Sequence, residues 1–148
     1  MININKYDLL KLDNQLCFPI YVASKEIIKI YKPYLKELNL TYTQYIVMMV
    51  LWEEDNISVK DIGEKLYLDS GTLTPVLKKL EKLNLIERRR SEEDERVLII
   101  SLTEKGKGLK EKASEIPTKA FCKTGLKEED ALLLKDKLSE LVKNLINN

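Results

Sequence analysis

The apolar residues of this chain change period along its length, and that change limits the fold more than any other feature. From Leu16 they run Leu16, Ile20, Ala23, Ile27, Ile30 and Tyr34, in alternating steps of four and three, a heptad-like seam along a helix of several turns. Leu134, Leu138, Leu141 and Leu145 repeat that spacing behind an acidic first turn, Glu128, Glu129 and Asp130, which suits a helix N-terminus. Between the two seams the helical period gives way to short segments rich in Arg, Val and Ile, Ile86 to Ser91 and Arg96 to Leu102. The polar stretch Glu92-Glu93-Asp94-Glu95 separates them, so the pair reads as a β-hairpin. The fold class is mainly α with one small hairpin. The 148 residues suffice for a single domain. Two adhesive end helices can pack on each other or interleave with those of a second copy across a two-fold axis. The periodicity leaves both open, and the separate core of the middle segment favours the dimer.

That middle segment begins at Thr41-Tyr-Thr-Gln44, a capping box that starts a helix through Tyr45, Val47, Met48, Leu51 and Trp52. Ser58-Val-Lys-Asp61 starts a second, short helix through Ile62 and Leu66. Asp69 N-caps a third, Ser70 to Leu83, whose Leu73, Val76, Leu77, Leu80 and Leu83 follow the 3.6 period. Pro75 falls in or near its first turns, where a missing N–H matters least. Two short helices joined by Tyr67-Leu68 and followed at once by a hairpin have the layout of a winged helix-turn-helix. Thr103-Glu-Lys-Gly opens a further helix to about Ala120, bent or closed early by Pro117. The expected organisation is one domain, 1–148, with dimerisation helices at 8–36 and 103–147 around a winged helix-turn-helix module at 41–102.

Several function classes fall away on composition. There is no histidine, which removes the commonest general base and the commonest metal ligand, so neither an enzyme nor a metal site is expected. The five glycines form no phosphate-binding loop, and no cofactor is expected. The longest apolar run, Ile46 to Trp52, is far short of the roughly 20 residues of a membrane span, and no secretory leader opens the chain, so a cytoplasmic protein without a membrane partner is expected. Two cysteines more than a hundred residues apart make no disulfide scaffold, which leaves each a redox or a packing role.

A net charge of +1 gives no global argument for an anionic partner, but the local distribution does. All four arginines, Arg88, Arg89, Arg90 and Arg96, lie on the hairpin. Residues 70–91 carry six positive charges, three of them Lys78, Lys79 and Lys82, against two negative, Glu81 and Glu87. Arginine suits phosphate oxygens and narrow minor grooves because its planar fork donates several hydrogen bonds and sheds water readily. Ser70, Gly71, Thr72 and Thr74 put small donors and acceptors at the start of the third helix, where they can approach base edges. Either feature alone is ordinary solvated surface; their order and adjacency make the third helix a recognition helix and the hairpin a wing. Asp94 repels phosphate, yet two residues before Arg96 it can fix the guanidinium in one orientation.

Cys17 falls near the start of the first long helix, whose N-terminus stabilises a thiolate. On a helix, Cys17, Tyr21, Ser24, Ile28 and Tyr31 share one stripe, and a tyrosine O–H can donate to a thiolate. A cysteine on such a face is also a common packing residue. Pro19 leaves open whether Cys17 sits on the helix or in a loop before it.

Leu12-Asp-Asn-Gln-Leu-Cys17-Phe-Pro-Ile-Tyr21, Tyr31-Lys-Pro-Tyr-Leu, Leu40-Thr-Tyr-Thr-Gln-Tyr45, Leu68-Asp-Ser-Gly-Thr-Leu-Thr-Pro75 and Arg90-Ser-Glu-Glu-Asp-Glu-Arg96 closely resemble the organic hydroperoxide resistance regulators, a branch of the multiple antibiotic resistance regulator (MarR) family. The resemblance spans nearly the whole chain. It implies a homodimeric repressor that binds a pseudo-palindromic double-stranded operator when reduced and leaves it when an organic hydroperoxide oxidises the cysteine to a sulfenic acid. Cys17 matches the sensing position. Tyr31 and Tyr42 match tyrosines that bond it from the other subunit, and Tyr21 matches a third nearby. Ser70, Gly71 and Thr72 match major-groove contacts, and Asp94 with Arg96 match the wing tip; Thr74, Lys78, Lys79, Arg88 and Arg90 join them as candidate DNA contacts on position and charge. Cys122 falls where one group of the branch carries a second cysteine that resolves the sulfenic acid as an intersubunit disulfide, and it also reads as an apolar residue of Ala120-Phe-Cys.

Two other functions compete. A repressor of the same fold can be released by a small apolar or phenolic ligand held between the end helices and the winged module, with Cys17 as lining. A thiol peroxidase would need a cationic or basic neighbour for its thiol, and the segment offers Asp13, Asn14 and Gln15 instead.

Overall fold

The computed structural model describes residues 5–148. Their contacts divide the chain into two compact units, one ending at Ile116 and the other Pro117–Asn148. The first opens with two single 3-10 turns, Asp8–Leu10 and Leu12–Asn14, tied together by the Asn14 and Gln15 amides, which donate to the carbonyls of Asp8 and Leu9.

Helix α1 (Cys17–Glu37) is followed by its C-cap Leu38 and by Asn39 at positive φ, and α2 (Tyr42–Glu53) starts on the expected capping box. Thr41 Oγ1 accepts from the Gln44 amide at 3.2 Å while Gln44 Oε1 accepts from the Thr41 amide at 2.9 Å. Strand β1 (Ile57–Ser58) leads into α3 (Val59–Leu66), where Ser58 Oγ accepts from the Asp61 amide at 3.0 Å. Helix α4 (Ser70–Lys82) starts at Asp69, whose Oδ1 accepts from the Thr72 amide at 2.7 Å. Strands β2 (Ile86–Arg90) and β3 (Leu98–Leu102) form the hairpin, and α5 (Glu104–Ala113) closes the unit. The second unit holds nearly all of α6 (Ile116–Thr124) and all of α7 (Glu128–Ile146), with Glu128, Glu129 and Asp130 in the first turn of α7.

Three expectations need correction. The helix from Thr103 to about Ala120 is two helices: the Ser114 amide turns back to the Glu111 and Lys110 carbonyls and ends α5, and Pro117 stands at the second position of α6, where no N–H is needed. Arg96 belongs to the wing turn and not to a strand, because β3 starts at Leu98. The hairpin also has a third strand: β1 pairs antiparallel with β3, Ile57 opposite Ile100 and Ser58 opposite Ile99, giving the order β1-β3-β2. Two residues are too few to show a period.

One core serves all these elements. Val47, Met48 and Leu51 of α2, Ile62 of α3, Leu73, Leu77 and Leu80 of α4, and Ile86 and Ile100 of the sheet are almost wholly buried together. The first helix enters this core only at its C-terminal end, through Tyr31, Tyr34 and Leu35 with Leu38 just beyond; of the seam, Tyr34 packs on the core while Leu16 and Ile27 are exposed on the single chain, as are the neighbouring Phe18 and Ile28.

Four non-glycine residues among those described take a positive φ: Asn39, Asn56, Asn84 and Tyr67, the last at 55°. Asparagine tolerates the left-handed region, whereas a bulky residue there costs roughly 1–2 kcal/mol. Tyr67 closes α3 in that conformation.

A tight joint sets the base of the wing. Thr103 caps α5 by accepting from the Gly106 amide at 3.0 Å, and its hydroxyl donates to the Asn84 carbonyl at 2.6 Å. Trp52 Nε1 donates to the Gly106 carbonyl at 2.9 Å, pinning α5 to α2. The joint has no room for a side chain at Gly106, since an added Cβ would stand 2.1 Å from the Leu85 carbonyl oxygen. Alanine ordinarily stabilises a helix by about 1 kcal/mol over glycine. Gly106→Ala should do the reverse, lowering stability by about 1–3 kcal/mol in urea or thermal melts; a variant as stable as the parent would mean that α5 moves away from Leu85 freely.

Candidate nucleic-acid interface and cysteine site

Helix α4 is anchored by one face and open on the other. Leu73, Leu77 and Leu80 are buried to 1% exposure or less, while Ser70, Gly71, Thr72, Lys78 and Lys79 are exposed and Thr74 is half-buried. Two bonds shape its start. The Asp69 carboxylate, held by the amide and hydroxyl of Thr72 and by the Gly71 amide, lies below the usual carboxylate range. Thr74 Oγ1 donates back to the Ser70 carbonyl at 2.7 Å. Pro75 is the sixth residue of α4, close to its first turn as expected, and has no N–H to give to the Gly71 carbonyl, so that oxygen lacks its usual helical donor next to the exposed hydroxyls.

The wing tip is built by Asp94. Its Oδ1 accepts from the Arg96 amide at 3.0 Å and from Arg96 Nε at 3.1 Å, and its Oδ2 accepts from Nη2 at 3.2 Å. The carboxyl is held below its usual range by these bonds. The Arg96 side chain is 91% exposed, so it is oriented but still available. Arg89 and Arg90 are exposed on β2. Arg88 is different: its Nε and Nη2 grip Glu81 of α4 at 3.1 and 3.0 Å, a bidentate pair that ties the wing to α4. That pair lowers the Glu81 carboxyl below its usual range and raises the Arg88 guanidinium. Lys105 Nζ donates to the Leu83 carbonyl at 3.0 Å, just past the end of the same helix. Opposite charges seven residues apart across a turn carry no periodic signal, and sequence reading missed this tie.

Cys17 is exposed and is the first residue of α1, which settles the question that Pro19 raised. Pro19 lies in the first turn, where the N–H groups have no helical acceptor in any case. Leu16 offers no side-chain cap, so the free amides of α1 sit beside the cysteine. The expected tyrosines divide. Tyr31 and Tyr42 meet edge to face at 5.2 Å, with Tyr45 at 5.9 and 6.1 Å completing a trio. Burial first, and the Tyr42 phenol second, push the Tyr31 hydroxyl above its usual pKa; Tyr45 is raised by burial and by both neighbours. Tyr21 stands apart, exposed, with the Lys25 ammonium 4.6 Å from its ring centre. Among the described residues no tyrosine of the same chain bonds to Cys17. Cys122 is exposed on α6, in the second unit. Tyr45 was overlooked in the sequence, although it stands three residues after Tyr42 on one helix.

A cavity of about 790 Å³ opens beside the tyrosines, between α1, the start of α2 and the end of α4. Leu35, Leu40 and Tyr42 line its floor, and Lys29, Lys32, Lys36, Lys79 and Lys82 line it as well. Among the described residues no group of His, Cys, Asp or Glu is arranged to hold a metal ion, and no helix is long and apolar enough to cross a membrane.

A helix-turn-helix with an arginine-tipped wing, one open helix face and an exposed cysteine outside that module defines a winged helix-turn-helix transcriptional regulator. Comparison with known proteins agrees. The family model "Transcriptional regulator SarA/Rot" matches residues 29–113. The organic hydroperoxide resistance transcriptional regulator of Bacillus subtilis is 52% identical over 95% of this chain and 96% of its own. The HTH-type transcriptional regulator SarZ of Staphylococcus aureus is 50% identical over 92% of this chain and 87% of its own. AbfR of Staphylococcus epidermidis, solved in reduced form on DNA, superposes with a TM-score of 0.80 at 36% identity over 96% of this chain and 99% of that one. The chain therefore belongs to the MarR family of winged-helix regulators, in the branch of the organic hydroperoxide resistance regulators. These relatives are transcriptional regulators and not enzymes, and so is this chain.

The Glu81–Arg88 tie has an acid limit. A carboxyl lowered by folding stabilises the fold above its unfolded value, about 4.3 for glutamate, and that contribution is lost as pH falls from there through the lowered folded value. Glu81→Gln should therefore lower the urea midpoint at neutral pH, and its gap from the parent should close as titration proceeds to about pH 3. A gap independent of pH would show that the charge of Glu81 is irrelevant to the joint.

Proposed function

We propose that this protein is a homodimeric, DNA-binding repressor that senses organic hydroperoxides through Cys17. The observation that carries the reading is the exposed thiol at the first position of α1, beside uncapped helical amides, in a chain whose separate winged module presents Ser70, Gly71, Thr72 and an Asp94-oriented Arg96. Ser70, Gly71, Thr72 and Thr74 read the major groove, Arg96 enters the minor groove, and Lys78, Lys79 and Arg90 meet phosphates. Arg88, committed to Glu81, sets the angle of the wing as well as adding charge near the duplex.

Dimerisation covers the exposed seam. Leu16, Phe18, Ile27 and Ile28 near the N-terminus and Leu134, Leu138 and Leu145 on α7 are apolar and unburied in one chain, on the segments 8–36 and 103–147 that supply the dimer helices. Two copies then place two α4 helices on half-sites about 34 Å apart in a pseudo-palindromic operator. The partner's Tyr31 and Tyr42 bond Cys17 in the reduced dimer, and Tyr21 flanks it.

The chemistry balances in two steps. The Cys17 thiolate attacks the terminal peroxide oxygen, the O–O bond breaks, and the alkoxide leaves with a proton as alcohol, giving a sulfenic acid. The Cys122 thiol of the other subunit then attacks that sulfur, water departs, and a disulfide forms. AbfR has been solved in a disulfide-formed state as well as on DNA, which supports this course. Cross-linking shifts the dimer helices and the half-site spacing, and the operator is released.

The cavity favours a second reading, release by a small apolar or phenolic ligand held beside Tyr42. Cys17→Ser separates the two. On a duplex from the region upstream of its own gene, the variant should bind within about threefold of the parent and stay bound under cumene hydroperoxide; a variant still released by peroxide would sink the sensing role of Cys17. Under oxidation Cys122→Ser should give no covalent dimer on non-reducing electrophoresis, where the parent gives one. Arg96→Ala should weaken binding on any duplex and reduce the slope of log affinity against log salt by roughly 0.9 if one phosphate contact is lost.

A further inference from the structure

The turn between α3 and α4 contains a residue that the fold itself does not need. Tyr67 stands at φ 55°, where the three other non-glycine residues of positive φ among those described are all asparagine. The turn dictates that conformation. The Leu68 amide donates to the Gly63 carbonyl at 2.9 Å, and Gly63 is packed so closely that an added Cβ would lie 2.5 Å from the Leu68 carbonyl oxygen. Asparagine or glycine would satisfy the turn with less strain. The phenol gives nothing visible in return: it is 59% exposed, while Leu66 and Leu68 on either side pack against the core. Among the described residues it has no hydrogen bond, ring contact or cation neighbour. It lies two residues before Asp69, the cap of the helix that offers Ser70, Gly71 and Thr72.

Resting on the DNA-binding reading above, we infer that Tyr67 is a duplex contact, its hydroxyl donating to a phosphate oxygen at the edge of the groove that α4 enters. Strained backbone positions cluster at ligand-binding sites, and a tyrosine joins an apolar ring to a polar tip that can reach a ligand. The turn beside the start of a recognition helix faces the sugar-phosphate backbone whenever that helix reads bases. The phenol is neutral, so its contact displaces no counterion, unlike those of Lys78 or Arg96.

The test uses the full-length reduced protein, a duplex from the region upstream of its own gene and a shuffled duplex of equal length, with affinities read by fluorescence anisotropy from about 50 to about 200 mM salt. Tyr67→Phe should leave the melting temperature unchanged and weaken both duplexes by about tenfold, with the salt slope unaltered. Tyr67→Asn should melt at the same or a higher temperature and bind at least as weakly. Stability and affinity thus move apart, which a packing role for the ring would not produce. Parent-like affinity of Tyr67→Phe overturns the inference, as does a lowered melting temperature for Tyr67→Asn. A loss confined to the specific duplex makes the contact one to a base and overturns it too. Intact affinity in vitro with lost repression in cells assigns the residue to a protein partner instead. Should the parent bind neither duplex, the DNA-binding reading itself falls, and the inference with it.

Discussion

A helix can offer one face to a ligand only if its opposite face is held still, and in this chain that constraint falls on α4. Leu73, Leu77 and Leu80 sink into a core shared with α2, α3 and the sheet. Each large-to-small change there would cost about 2–5 kcal/mol, so the helix has little freedom to roll. The exposed hydroxyls of Ser70 and Thr72 inherit that rigidity. The Asp69 cap and the Thr74 back-bond fix the first turn further, and the glycine and proline beside them leave backbone groups uncovered.

The wing is held to the same helix by polar means. Arg88 grips Glu81, Lys105 reaches the Leu83 carbonyl, and Thr103 bridges Asn84 and Gly106. Hydrogen bonds of this kind add modest stability each, but their directionality sets an angle that apolar contact alone would leave loose. Helix and wing therefore behave as one piece. Asp94 makes a similar use of charge at the far end, giving up some electrostatic attraction to keep Arg96 in a defined pose.

The cysteine lies outside that rigid piece, and this separation suits a sensor. Oxidation at Cys17 need not disturb the core of the winged module; in the proposed dimer it alters how two such modules are spaced. The α1 seam leaves apolar side chains exposed on the single chain, and in the proposed dimer it is the surface through which that spacing is set. The tyrosine trio lies where α1 meets α2, with Tyr45 in the core and Tyr31 and Tyr42 packed against it.

Much of this was legible in the residues. The capping box at Thr41 and the caps at Ser58, Asp69 and Thr103 fall where expected because an N-cap is a local bond between neighbours three apart. The wing followed from a change of period, and its basic charge from a count. Other features escaped because they join residues distant in sequence: β1 pairing with β3, Trp52 meeting Gly106, Tyr45 joining Tyr31, and Arg88 turning from a free cation into a strut. The break before α6 was visible as Pro117 but not its place, since helix ends depend on where carbonyls find donors. The sequence by itself determined the order of elements, the helix starts and the location of charge, all set by interactions within a few residues. The tertiary structure decided which basic side chains stay available, where the close approaches lie and what strain Tyr67 carries, because burial and non-local hydrogen bonds exist only once the chain has closed on itself.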